Sequence, residues 1–128
     1  MSWPWDGPPW VSDVSEWRFS AAAEADIARL LTVTGERFGD GARRRYEALL
    51  VTVLRDLGSD AYRNGSVPRP ELGDGARSYH LRHSKMRTWA FGHLVRQPRH
   101  LLLYRILTPS LIGIARVLHA RFCMPGFA

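Results

Sequence analysis

Cysteine occurs once in this 128-residue chain, as Cys123. A single thiol excludes an intramolecular disulfide and any zinc site built from cysteines, and it fits a reducing compartment. Long apolar runs are missing as well: none approaches the roughly 20 residues that a membrane-spanning helix needs. The first residues have neither the basic opening nor the continuous apolar stretch of a secretory leader. The expectation is a soluble, cytoplasmic protein. Lysine is nearly absent, Lys85 being the only one among 18 basic residues, against 12 acidic ones. The net charge of +6 favours an anionic partner, either nucleic acid or an acidic protein segment. An apolar fraction of 45% argues against wholesale disorder, and the length suits one domain with a single core.

Residues 1–15 pair tryptophans (Trp3, Trp5, Trp10) with Pro4, Gly7, Pro8 and Pro9. Proline fixes φ and removes a backbone donor, so neither helix nor central strand suits this segment. It reads as an extension ahead of a single domain spanning 16–128. Glu16 to Phe19 alternates, with Trp17 and Phe19 on one face, as a first strand does. Ser20 stands where a helix N-cap belongs, with Glu24 and Asp26 near the positive end of the dipole. Ile27, Leu30, Leu31, Thr34 and Phe38 follow at helical spacing, and Gly39 is a stop. Asp40 is positioned to cap a second helix whose stripe is Ala42, Tyr46, Leu49, Leu50, Val53, Leu54 and Leu57, ended by Gly58. So short a connection forces an antiparallel helical hairpin.

Residues 59–76, rich in Gly, Pro, Ser and Asp, read as a surface loop. Arg77 to His83 alternates, with Tyr79, Leu81 and His83 on one face and Ser78, His80 and Arg82 on the other, as a middle strand. Residues 84–99 form a basic insertion with Lys85, Arg87, Arg96 and Arg99 around Trp89, Phe91 and Leu94. Two apolar runs, Leu101–Leu107 and Leu111–Leu118, flank Thr108-Pro109-Ser110 and read as a strand hairpin. The expected fold is α+β, in the order β-α-α-β-β-β, an antiparallel meander of late strands packed on an N-terminal helical hairpin.

Arginines interrupt the apolar pattern of the late strands. Arg77, Arg82, Arg105, Arg116 and Arg121 could line one concave sheet face, where guanidinium forks grip phosphates or carboxylates. The competing reading makes each an ordinary edge arginine paired with Asp or Glu. Arg43, Arg44 and Arg45 fit a solvated helix face, or equally one that meets an acidic partner. His119, at the end of the last strand, could serve as a general acid or base, or simply satisfy a neighbouring polar group. His80, His83, His93 and His100 lack both the i, i+4 spacing and the Cys partners of a zinc site. No metal and no cofactor are expected. Metal-free RNA cleavage needs a base, an acid and cations at the scissile phosphate. With no Tyr beyond Tyr104 and a single lysine, that equipment is thin.

The pieces WRFSAAAEADI (17–27), RFG (37–39), RRYEALL (44–50), ELGDGARSYHLRHS (71–84), PRHLLLYRI (98–106) and IARVLHARF (114–122) resemble, in this order, the RelE/ParE-type toxins of type II toxin–antitoxin systems. The Gly75-Ala76-Arg77 and Arg116-Val117-Leu118-His119 stretches resemble the ParE branch most. The resemblance implies a growth-arresting toxin, held in a hetero-oligomer by a cognate antitoxin, ParD-like or similar, whose segment wraps the basic face. ParE-type toxins poison DNA gyrase by binding. RelE-type relatives cleave mRNA on the ribosome, in which case His119, Arg116 and Arg77 are the catalytic candidates. Phe122 to Ala128 departs from the acidic turn and short basic end usual in the family. This admits a third expectation, a non-toxic member acting only as a complex subunit.

Overall fold

The computed structural model describes residues 10–14, 17–89 and 94–120. The elements run β1 (Trp10–Val14), β2 (Trp17–Ser20), α1 (Ala21–Phe38), α2 (Asp40–Ser59), β3 (Ser66–Pro68), β4 (Ala76–His80), α3 (Lys85–Trp89), β5 (His100–Thr108) and β6 (Leu111–His119). The six strands form one mixed sheet in the order β1-β2-β6-β5-β4-β3. Only β2 and β6 pair in parallel; β3 to β6 make an antiparallel meander. The fold is thus the expected α+β arrangement, with β2, β4, β5 and β6 as its four anticipated strands.

Within the extension, Trp10–Val14 pairs with β2 as a five-residue edge strand; a neighbouring strand's open hydrogen bonds supply what local sequence does not advertise. Four local expectations are corrected. The 59–76 loop contains β3, which is three residues long and carries Pro68, as an edge position tolerates. The middle strand stops at His80, and Leu81–Ser84 turns into a 3₁₀ helix that buries Leu81 and Ser84. The basic insertion contains the short helix α3. Asp40 does not cap α2: Gly39 takes that position at φ 91°, and α2 continues one residue past Gly58. The left-handed region favours glycine, so Gly39 serves both as the end of α1 and as the hinge of the hairpin.

Both helices pack on one sheet face. Ala23, Leu30, Tyr46, Leu49, Leu50, Val53 and Leu57 meet Phe19, Tyr79, Leu102, Tyr104, Ile112, Ile114 and Val117. Each fully buried aliphatic side chain contributes about 1.5–3 kcal/mol, so the α2 stripe is the main anchor of the hairpin. Ser20 performs the expected capping: its Oγ accepts from Ala23 N at 2.9 Å. The same hydroxyl donates to the Ala115 carbonyl at 2.6 Å, tying the start of α1 to a register shift in β6. There Leu103 faces Arg116 while Tyr104 faces Ile114, leaving Ala115 as the extra residue. A bulge of this kind re-aims side chains.

Candidate functional site

The bulge places Arg116 against α1. Its Nε and Nη2 donate to the two Asp26 oxygens at 2.7 and 3.0 Å, and Val117 N donates to the same carboxylate at 3.0 Å. The hydrogen bonds it donates to Asp26 hold the Arg116 proton more firmly than usual. One carboxylate thus accepts three donors and clamps α1 to β6. Hydrogen bonds to charged groups are worth about 1.5–3 kcal/mol each.

Beyond this clamp opens a groove of about 920 Å³ between α1, the start of α2, residues 94–100 and the end of β6. Its apolar lining includes Leu30, Val33, Phe38, Ala42, Val95 and Val117. Phe38 is 73% and Val33 40% exposed, a costly arrangement unless something covers them. Around them stand Arg29, Arg37, Arg45, Arg96, Arg99 and Arg116, against the single acid Asp26. Arg29, Val33 and Arg37 recur every four residues along α1 and so share its groove-facing side.

Tyr46, His100 and His119 form the polar end of the groove. Arg99 N donates to the Tyr46 hydroxyl at 3.1 Å, and the same hydroxyl shares a hydrogen bond of 2.7 Å with His100 Nδ1. The His100 ring meets the His119 ring edge-on, with centroids 5.1 Å apart. Burial pushes the Tyr46 phenol up to about 12 and draws His100 down to about 4, with His119 and His80 adding to the depression.

The arginines singled out in the sequence are not gathered on one concave face. Arg116 sits in the groove, spent on Asp26. Arg77 lies near the opposite edge, where its Nε donates to Ser66 Oγ at 2.6 Å and its guanidinium stacks 4.7 Å from the centre of the Tyr62 ring. Ser66 in turn bonds the Tyr104 hydroxyl, which donates to the Ala61 carbonyl, so this corner fastens the 61–66 loop to the sheet. Arg105 stands across from Ala76 on the helix-free face. Arg82 is exposed on the 3₁₀ turn, its backbone N–H donating to His80 Nδ1 at 3.1 Å. Arg121 and His93 lie outside the described residues.

The histidines do not converge either. His80 and His100 have their Nδ1 atoms engaged, and no three metal-ligating side chains meet among the described residues. No helix among the described residues is long and apolar enough to cross a membrane.

A second cluster went unnoticed in the sequence. Asp56 of α2, only 4% exposed, receives Ser84 Oγ at 2.6 Å, Arg87 Nε at 2.9 Å and Arg63 Nη1 at 3.3 Å. Tyr79 donates in turn to Ser84 at 2.7 Å. The groove arginines Arg29, Arg37, Arg96 and Arg99 were also missed as a set. The four-residue spacing of Arg29 and Arg37 was the available signal, but it needs the neighbouring elements to become a surface.

A family model described as ParE toxin of type II toxin-antitoxin system, parDE, matches residues 17–122. No curated protein matches the chain. The match takes in β2 to β6 and leaves β1 outside.

Proposed function

The chain belongs to the ParE toxin family of type II toxin–antitoxin systems, and we propose that it arrests growth by binding DNA gyrase and is neutralised by a cognate antitoxin seated in the α1–α2–β6 groove. The observation that carries the antitoxin half is the pairing of exposed Val33 and Phe38 with a rim of arginines. That surface fits a segment carrying apolar side chains flanked by carboxylates, which would cover the former and neutralise the latter. Family membership supports the gyrase half. Within the groove the Tyr46–His100 pair is pulled apart to about 12 and about 4, so this pair does not supply the acid and base near neutral pH that a ribonuclease needs, and His119 is left as the nuclease reading's candidate.

The test uses purified protein in a gyrase supercoiling assay. Inhibition, or accumulation of cleaved gyrase–DNA complexes, is expected. Undisturbed supercoiling at molar excess would sink the gyrase reading. In cells, induction should arrest growth with transcripts intact. Codon-phased mRNA cuts would instead establish the ribosome-dependent nuclease, and unimpeded growth the non-toxic subunit.

A further inference from the structure

The charge of the groove and its exposed aromatic ring together suit a second kind of ligand. Arg29, Arg37, Arg45 and Arg96 are all exposed along it, and none has a carboxylate partner among the described residues. The one acid in its lining, Asp26, is held by Arg116 and Val117 N. Asp40 and Glu47, in the first part of α2, are engaged by Arg43 and Arg44, so neither neutralises the rim. The uncovered positive charge is a demand for anions at several points, not at one.

The spacing of these groups narrows the chemistry. Arg29 and Arg37 stand a little over two turns, about 12 Å, apart along α1; Arg45 comes from α2 and Arg96 from the 94–100 wall. Phe38 follows Arg37 directly at the end of α1 and is 73% exposed. Guanidinium forks grip phosphates, and an exposed aromatic ring is a platform on which an unpaired base stacks. A duplex hides the faces of its bases. A single strand offers phosphates and base faces in alternation, as the groove offers arginines and an aromatic ring.

We propose that the groove, when no antitoxin fills it, binds single-stranded nucleic acid, with Arg29, Arg37, Arg45 and Arg96 on its phosphates and a base stacked on Phe38. Phosphates and base faces are common to DNA and RNA, so the groove makes no demand on the sugar. With the antitoxin seated in the groove as proposed above, the two ligands exclude one another, a consequence that rests on that seating. Protein released from its antitoxin then lodges on unpaired strands, and returning antitoxin displaces it.

Fluorescence anisotropy of a labelled oligothymidylate, titrated with the full-length protein alone, provides the test. Four phosphate contacts on a single strand predict that log K falls against log salt with a slope of about −3. Arg37→Glu combined with Arg45→Glu should weaken binding by about tenfold or more and flatten that slope by about half. Phe38→Ala should weaken it about tenfold. Arg55→Glu combined with Arg82→Glu makes the same change in net charge at exposed positions outside the groove, and should cost less than about threefold. An oligouridylate should bind alike, and a duplex of the same length about tenfold more weakly. Equal losses from the two charge reversals, undiminished binding by Phe38→Ala, a preference for duplex, binding confined to the oligouridylate, or no binding at low salt would overturn the proposal. Strand binding that persists in excess antitoxin would instead move the antitoxin off the groove and leave the strand site standing.

Discussion

Two arginine-rich regions of this molecule are built from the same residue types and do opposite jobs. At one end of α2, Arg63 and Arg87 converge on Asp56, whose side chain is 5% exposed. Their charge is spent on a buried carboxylate, Arg87 reaching in from the surface at 64% exposure, and the result is a knot joining α2, the 61–66 loop and α3. At the other end, Arg29, Arg37 and Arg45 stand exposed along a groove, with no carboxylate partner among the described residues. An arginine's role is therefore set by whether the fold brings it an acid. The family-motif arginines illustrate this: Arg116 is matched to Asp26, and Arg77 is occupied by Ser66 and Tyr62.

Removing the acid from the first region should have the largest effect. Asp56→Ala leaves Ser84 and two guanidinium groups without their acceptor; Arg87, 64% exposed, can turn to water, so the loss of these charge-assisted hydrogen bonds should cost about 3 kcal/mol. A urea midpoint near that of the native protein would show that the knot is peripheral. The groove should behave in the opposite way. Arg37→Glu combined with Arg45→Glu should leave stability within about 0.5 kcal/mol, because both side chains are solvated. It should nevertheless weaken antitoxin binding by about a hundredfold, some 2.7 kcal/mol. Titration calorimetry against the co-expressed antitoxin measures the second quantity and thermal unfolding the first. A stability loss without an affinity loss would reverse the division between the two regions.

The fold was more legible than the site, for a physical reason. Core elements announce themselves by period: the Tyr46–Leu57 stripe repeats every 3.6 residues over several turns, and the two late apolar runs are bounded by a Pro-containing turn. Short pieces carry no such redundancy. Tyr79, Leu81 and His83 alternate like a strand, yet Leu81 and Ser84 are the buried pair of a 3₁₀ turn, and seven residues cannot separate the two periods. Asp40 looked like a cap, but Gly39 takes that position and the Asp40 carboxylate turns to Arg43 and Arg44 one helical turn on, a competition between neighbours that residue type alone does not decide. The site was harder still. Arg116 was visible as an oddity in a strand, but its partner Asp26 lies 90 residues away, and only the packing of α1 on a bulged β6 joins them.

That pair is the third way to sharpen the comparison, since it lies in the groove yet is built like the knot. Asp26 and Arg116 are intermediate in burial, with side chains 14% and 33% exposed. A double-mutant cycle with Asp26→Ala and Arg116→Ala should give a coupling of about 1–2 kcal/mol, less than the cost of losing Asp56 and more than a surface pair yields. Asp26→Ala should be the worse single variant, because it also strips the acceptor from Val117 N. A coupling near zero would make Arg116 a free groove cation and return it to the partner-binding set.

The smallest effect concerns the seam between core and groove, where His100 shares a hydrogen bond with Tyr46. Burial holds its folded-state value at about 4, below the ~6.5 of an unfolded histidine. Between those values the unfolded chain binds a proton that the folded chain refuses. Stability is therefore fully present above about pH 6.5 and declines as the pH falls toward 4. His100 alone should cost on the order of 1 kcal/mol between pH 7 and pH 5 after allowance for its partial exposure. His80, also drawn down to about 4 by burial, adds to the same slope. His100→Gln keeps an acceptor for Tyr46 but cannot titrate, so its urea midpoint should fall less than the native protein's over this range. If both proteins lose the same stability between pH 7 and pH 5, the His100–Tyr46 contact is not what resists acid, and the groove's polar end is wetter than its burial implies.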